Sequence, residues 1–306
     1  TVAEYCRKFN FVIRKTSSYS LCEKEIVQYI QTQGAECVVN NWDILSTQEI
    51  DIVIPSNNLG IEINGLYWHS WHPSINKSEN IYRHLYKTEE LYKHNIDLLH
   101  ITDYEWNHQK QKVKNLINTK LRLNETIYAR KCNIKEVQLN EAKSFLVNYH
   151  FQNYTAAKYK VGLYYKDELV MLITYGKPRF SKDYDFEILR VCSKYGISVV
   201  GGLSKLIKHI KNLHPDKTFI TYCDRSKSNG NGYISAGFKF KKNIPPGYFW
   251  TDGNGIISRY QSQKKKLNNW LISFDPNLSE SEIMFNAKYR RYWDCGYIIF
   301  EIEMYL

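Results

Sequence analysis

Two short segments concentrate the side chains best suited to chemistry. EIDIVIP (49–55) sets Asp51 among alternating apolar residues, and LGIEINGLYWHS (59–70) carries Glu62, Asn64 and His69. Two carboxylates on neighbouring strands, with room left for water, suit a hard divalent cation such as Mg²⁺ or Mn²⁺. Hydrolysis of a phosphodiester needs such a cation together with a base that activates water. His69, with an ordinary pKa of about 6.5, is largely neutral at physiological pH, as a base must be. Side chains two apart on a strand share a face, so Glu62 and Asn64 point together while Ile61 and Ile63 point to a core. Glu23, on the preceding helix, is a further acid within reach of the same place. Each residue alone has an ordinary use: a turn aspartate, a packed histidine, a helix-cap glutamate. Carboxylates turned inward from apolar strands as a group are rarely without a function.

These side chains need a scaffold, and the periodicities supply one. Residues 20–33 read as a helix, with Ser20 as N-cap and Glu23 completing a capping box. EIDIVIP alternates and ends on Pro, SNN is a turn, and 59–68 reads as a second strand, so the two form a hairpin. A helix over 79–95, a strand over 96–106 and a polar helix over 107–123 follow, closing a small α/β unit near residue 125. The second half opens a new pattern. NIKEVQLNEAKSFLVNYH is strand then helix, KVGLYYKDELVMLITYG a hairpin, and FEILRVCSKYG a strand. Gly201 and Gly202 then open an amphipathic helix, TFITYCD is a strand, and GYFWTDG and DCGYIIFEIEMY add strand-like segments.

Four stretches, SLCEKEI, EIDIVIP, LGIEINGLYWHS and HITDYEW, together resemble the Vsr-like endonucleases. These are relatives of the very-short-patch-repair nucleases within the PD-(D/E)xK fold, a group that includes phage homing endonucleases. The resemblance spans roughly residues 17–107. It implies that Asp51 anchors the metal with Glu62 and the backbone carbonyl of Ile63, that His69 is the general base, and that Glu23 is the helix acid. Asn64 stands where typical members have Lys, and would orient water or the scissile phosphate. A further polar catalytic group falls at His84 or Lys87 in YRHLYKTEEL. Repair members carry a zinc site around this segment. Here Leu66, Trp71 and Pro73 stand at the ligand places, so no structural zinc is expected, and His72 becomes a surface or DNA-backbone contact. Tyr67 and Trp68 occupy the place from which repair members stack aromatics into DNA, although a core role is the commoner use of such a pair.

In the second half, the order of hairpin, strand, Gly-Gly turn, helix, strand and GYISAGF resembles the GNAT acetyltransferases, whose Gly-rich turn binds the pyrophosphate of acetyl-CoA. The signature of that turn is incomplete here. The expected role is therefore DNA recognition, aided by Trp250, Arg259, Tyr260, Lys264, Lys265 and Lys266 in a basic–aromatic stretch.

The 306 residues carry a formal charge of +11, as a partner of phosphate polyanions would. The seven cysteines include no CxxC pair, which fits reduced thiols and a cytoplasmic setting, and no apolar run is long enough to span a membrane. The resulting expectation is an α/β (α+β) chain in three parts: a nuclease domain over 1–107, a linker helix over 108–127, and a GNAT-like mixed-sheet domain over 128–306. Its function would be Mg²⁺- or Mn²⁺-dependent cleavage of double-stranded DNA. The rival readings are an acetyl-CoA-dependent acetyltransferase and a non-catalytic DNA-binding protein on a nuclease-like scaffold.

Overall fold

In the computed structural model, residues 20–71, 81–271 and 274–303 are described. Helix α1 (Leu21–Thr32) starts on the expected capping box: the Ser20 hydroxyl accepts the Glu23 amide at 3.1 Å, and the Glu23 carboxylate accepts the Ser20 amide at 3.2 Å. Ile26 and Ile30, one turn apart, are buried on its inner face. Strands β1 (Val38–Asn41), β2 (Ile50–Ile54) and β3 (Leu59–Asn64) run antiparallel, with Ile52 facing Ile61 and Ile54 facing Leu59. After β3 come helix α2 (Leu66–Trp71), helix α3 (Arg83–Lys93) and strand β4 (Asp97–Thr102), which pairs parallel to β3. The sheet order is β1-β2-β3-β4, and β3 is buried along its whole length.

Two boundaries differ from the reading by periodicity, and both are set by side-chain caps. β3 stops at Asn64 and not at residue 68, because the Asp103 carboxylate accepts the amide of Leu66 at 3.0 Å and starts α2. The run LYWHSW is therefore helical, with Leu66 buried and Tyr67 and Trp68 outside. β4 likewise stops at Thr102 and not at 106. Thr102 and Glu105 form a capping box that opens helix α4 (Asp103–His108).

Helix α5 (Lys110–Lys120) falls in the segment expected to be a linker. It buries Val113 and Ile117 among Ile26, Ile52, Ile61, Leu99, Ile101 and Trp106, and so completes the core of the first sheet. Strand β5 (Glu125–Tyr128) follows, then β6 (Asn133–Glu136), helix α6 (Leu139–Tyr149), β7 (Tyr159–Tyr165), β8 (Glu168–Gly176), β9 (Phe186–Ser193), β10 (Ile197–Val200), helix α7 (Gly202–Leu213), β11 (Phe219–Asp224), helix α8 (Asn231–Ser235) and β12 (Lys239–Ile244). Strands β13 (Tyr248–Thr251) and β14 (Ile256–Ile257), helices α9 (Lys264–Leu267) and α10 (Glu280–Asn286), β15 (Arg290–Trp293) and β16 (Tyr297–Ile302) end the chain's described part.

The large sheet has the order β12-β16-β11-β9-β8-β7-β6 and is antiparallel except for β9 and β11. Alternation along β8 sends Met171 and Ile173 toward Leu206, Ile207 and Ile210 of α7, and Leu172 toward Ala142, Phe145 and Leu146 of α6. β10 leaves this sheet to pair in parallel with β5. Between β12 and β16 the chain makes an excursion with its own three-stranded sheet, β14-β13-β15, and its own core of Trp250, Leu267, Ile283 and Met284. The chain is thus mixed α/β, as expected. Among the described residues, no helix is long and apolar enough to cross a membrane.

Candidate active site

The β2–β3 register, continued by one residue, sets Asp51 opposite Glu62. The Asp51 carboxylate accepts the Ile63 amide at 2.7 Å, and Glu62 Oε1 accepts the Asp51 amide at 3.3 Å. Burial, then repulsion from Glu62, raises the Asp51 carboxyl to about 8, against the pull of the Ile63 amide. Glu23 adds to this repulsion, so the helix acid lies within electrostatic range of Asp51 even while its carboxylate caps α1.

Helix α3 faces this pair. Its residues His84, Lys87 and Leu91 follow helical spacing and are buried. The Lys87 ammonium lies 2.5 Å from Glu62 Oε1 and also donates to the Glu49 carbonyl. The sequence left His84 and Lys87 as alternatives, and the helix brings both inward, Lys87 to the carboxylate and His84 to the histidine. The rings of His84 and His69 stack at 5.3 Å, 6° from parallel. The Arg83 guanidinium donates to His69 Nδ1. Burial first, then the charge of Arg83, with His84 and Lys87 behind it, holds His69 well below its ordinary value. Burial, then the charges of Arg83 and Lys87, brings His84 down to about 3. Both imidazoles are therefore neutral near pH 7.

Behind the carboxylates runs a buried polar chain. Asn64 Nδ2 lies 3.3 Å from His100 Nδ1, and His100 Nε2 lies 2.8 Å from the Thr88 hydroxyl. Thr88 donates to the His84 carbonyl, so His100 carries its proton on Nε2 and accepts the Asn64 amide on Nδ1. Asn64 Oδ1 is fully buried and has no hydrogen-bond partner among the described residues.

The donor set suits a hard divalent cation. Two crowded carboxylates, one of them pushed strongly toward its neutral form, favour a cation between them, and the orphaned Asn64 oxygen beside Glu62 is a free acceptor for ordered water. In an extended strand the amide and carbonyl of one residue face the same neighbour, which turns the Ile63 carbonyl to the Asp51 side. Among the described residues, no three His, Cys, Asp or Glu side chains gather as a metal cluster.

Several contributors were not read from the sequence. Arg83 and Thr88 sit on the helix that was read, at positions without a distinguishing pattern. His100 interrupts the apolar run DLLHIT directly opposite Glu62, a buried polar residue that could have been noticed. Tyr292 of β15 stacks on His84 at 5.3 Å and lies 6.5 Å from His69.

The expected DNA contacts divide. Tyr67 and Trp68 project from α2, with Trp68 77% exposed. Tyr260, Arg259, Lys264 and Lys265 are also exposed. Lys264 donates to the Pro276 carbonyl, Lys266 sits over the Tyr260 ring, and Arg259 lies over Tyr248. Trp250 corrects the expectation: it is fully buried at the centre of the excursion's core, because it takes the inward position of β13, and it cannot touch a ligand. His72 lies outside the described residues.

No family model matches the chain, and none of the curated proteins does. Among solved structures, the catalytic domain of the homing endonuclease I-Bth0305I is similar over 34% of this chain and 96% of its own, with 22% identity and a TM-score of 0.27. A Bacillus subtilis acetyltransferase in complex with CoA is similar over 57% of this chain and 100% of its own, with 14% identity and a TM-score of 0.33. An aminoglycoside 6'-acetyltransferase type Ii is similar over 57% of this chain and 98% of its own, with 12% identity and a TM-score of 0.33. Identity and TM-score are low in all three, so the functional reading rests on the site itself.

Proposed function

We propose that this chain is a metal-dependent endonuclease acting on double-stranded DNA, with its active site on the β2–β3 ledge. The observation that carries the reading is the facing pair Asp51 and Glu62, with the Lys87 ammonium on one carboxylate and a column of neutral histidines beside it. Asp51, Glu62 and the Ile63 carbonyl would hold the cation, Mg²⁺ or Mn²⁺. When bound, it would offset the charge that develops on a phosphodiester under attack.

The chain's own groups divide the remaining work. His69 would take the proton of the attacking water on Nδ1, the lone pair that Arg83 holds here and would give up to the water, while burial and the Arg83 charge keep the ring neutral. Asn64 Oδ1, without a hydrogen-bond partner among the described residues, would accept from a water admitted beside Glu62. Lys87 supplies from a helix the positive charge that Asn64, at its strand position, does not. Trp68 and Tyr67 offer stacking faces beside His69, and the basic second half adds affinity for the phosphate backbone.

The alternative reading is an acetyl-CoA-dependent acetyltransferase carried by the second half of the chain. A Cβ on Gly202 would come 2.5 Å from Met171 Sδ, so close packing of α7 on β8 already accounts for that glycine. Lys205, in the first turns of α7, donates to the carbonyls of Ala129 and Cys132.

The test is incubation of supercoiled plasmid and genomic DNA with wild type, Asp51→Ala and His69→Ala, in Mg²⁺ and in Mn²⁺. Nicking or cutting by the wild type alone is expected. Intact DNA in every metal and salt would overturn the reading, and a thermal shift of several degrees on adding acetyl-CoA would favour the alternative.

A further inference from the structure

The histidine column is walled by a residue from the far end of the chain. Tyr292 is 4% exposed, and its ring stacks on His84 at 5.3 Å and 25° and lies 6.5 Å from His69 at 27°. Phe249, its cross-strand neighbour on β13, stacks on Tyr292 at 4.8 Å and 21°. The wall is held in place at three further points. The Asp294 carboxylate accepts the amides of Gly247 and Gly296 at 2.8 and 2.7 Å, which pins the ends of the excursion together. Cys295 Sγ lies 4.0 Å from the Thr88 hydroxyl, the group that bonds His100. Gly253 passes so close to Tyr67 that a Cβ there would sit 3.3 Å from the tyrosine ring, and its φ of +95° also calls for glycine. The excursion thus touches both helices that carry the histidines: α2 through Tyr67 and His69, and α3 through His84 and Thr88.

We propose that Tyr292 is a positioning residue of the nuclease site, a flat wall that fixes the ring planes of His84 and His69 and keeps bulk water from their outer side. The proposal rests on the nuclease reading and assigns part of that site to the excursion between β12 and β16. Aromatic stacking fixes orientation as well as burying area, so a flat ring should be needed more than the hydroxyl. The groups facing the two imidazoles are Arg83 and Lys87 from α3, His100 from β4 and Tyr292 from β15, with Cys295, Glu105 of α4, Arg83 and Asp294 acting on Tyr292 itself. Removing the ring hydrates His69 and His84 and lets them protonate at higher pH.

The experiment compares Tyr292→Ala, Tyr292→Leu and Tyr292→Phe in the full chain. It measures cleavage kinetics against pH and titrates the histidine C–H protons by NMR. The expected result is a 10- to 100-fold fall in kcat for Ala and Leu, with KM for DNA within about twofold, an acid limb moved to higher pH, and near wild-type behaviour for Phe. Leu keeps apolar bulk, so it decides the matter if Ala does not fold. Equal cleavage and an unmoved pH profile in Leu would overturn the proposal, as would a Phe variant as impaired as Leu. If the wild type cuts no DNA, the nuclease reading falls separately. The NMR arm still decides whether Tyr292 shields the histidines, because unshifted titration in Leu would overturn that part.

Discussion

Lys87 and Glu62 form a buried ion pair, 2.5 Å from ammonium to carboxylate, that joins helix α3 to strand β3. The side chains are 10% and 9% exposed, so deleting one charge leaves the other without solvent compensation. Lys87→Ala should cost about 3–5 kcal/mol of stability, and Lys87→Met, which keeps the apolar stem, somewhat less. Both should lower cleavage by about 10²–10³-fold if the ammonium also acts on the phosphate. Thermal unfolding and a plasmid-cleavage assay read the two effects apart. A Met variant that cleaves like wild type would confine Lys87 to the fold.

Asp51 makes a prediction about pH. Its carboxyl ionises near 3.8 in the unfolded chain and at about 8 in the folded one. A raised folded value means stability that is complete below the unfolded value and lost as pH climbs through the folded one. Without metal, the wild type should therefore weaken steadily between those limits. Asp51→Asn has no proton to lose, so it should melt several degrees above wild type at about pH 9 in EDTA, and close to it at acidic pH. Saturating Mg²⁺ should reverse the order, because a cation bound to the native state alone stabilises it. Coincident melts at both pH values in EDTA would show that Asp51 titrates normally.

Arg83 is exposed, yet its guanidinium rests on the His69 ring. Its positive charge is one reason His69 resists protonation. In Arg83→Gln that repulsion is gone, so the histidine should protonate at higher pH. The acid limb of the pH–rate profile should then move up toward about 6.5, the ordinary histidine value. Activity at about pH 8 should change little while activity at about pH 6 falls. An unshifted limb would remove His69 as the base whose titration sets the rate.

Two tryptophans should behave in opposite ways. Trp250→Ala empties the core of the excursion and should cost about 3–5 kcal/mol. Trp68→Ala removes a side chain that is 77% exposed, so stability should be unmoved. If Trp68 stacks on nucleic acid, its loss should weaken binding by about 1–3 kcal/mol without changing the salt dependence. Fluorescence anisotropy with a short duplex at several salt concentrations measures both quantities.

Local chemistry was legible in the sequence wherever it was carried by short-range pattern. The capping box of Ser20 and Glu23, the β2–β3 hairpin and the inward face of Glu62 and Asn64 all follow from spacing alone. The ends of β3 and β4 were overrun because their caps work differently. Asp103 holds the start of α2 from far along the chain, and Thr102 with Glu105 hid inside a run that alternates like a strand. Long-range partners left no trace in the pattern. Nothing in RRYWD marks Tyr292 as the neighbour of His84, and Trp250 in a basic–aromatic stretch looked like a surface residue because composition does not report which face of β13 points inward. The pairing of β5 with β10 is another contact of this kind, since neither four-residue strand stands out alone.

Strand β4 ends the four-stranded sheet, and its outer edge is occupied by the loop after β11. The His100 amide donates to the Ser226 carbonyl at 3.0 Å, Lys227 returns a bond to the His100 carbonyl at 2.6 Å, and Asn229 donates to Asp97 at 2.9 Å. An open edge with the sequence DLLHIT would be a template for pairing with another copy of itself. During synthesis that edge leaves the ribosome long before residues 226–229 are made to cover it. A nascent chain stalled before this loop, or a fragment cut after α5, should therefore self-associate through β4, whereas the finished chain is protected by four residues from its other half.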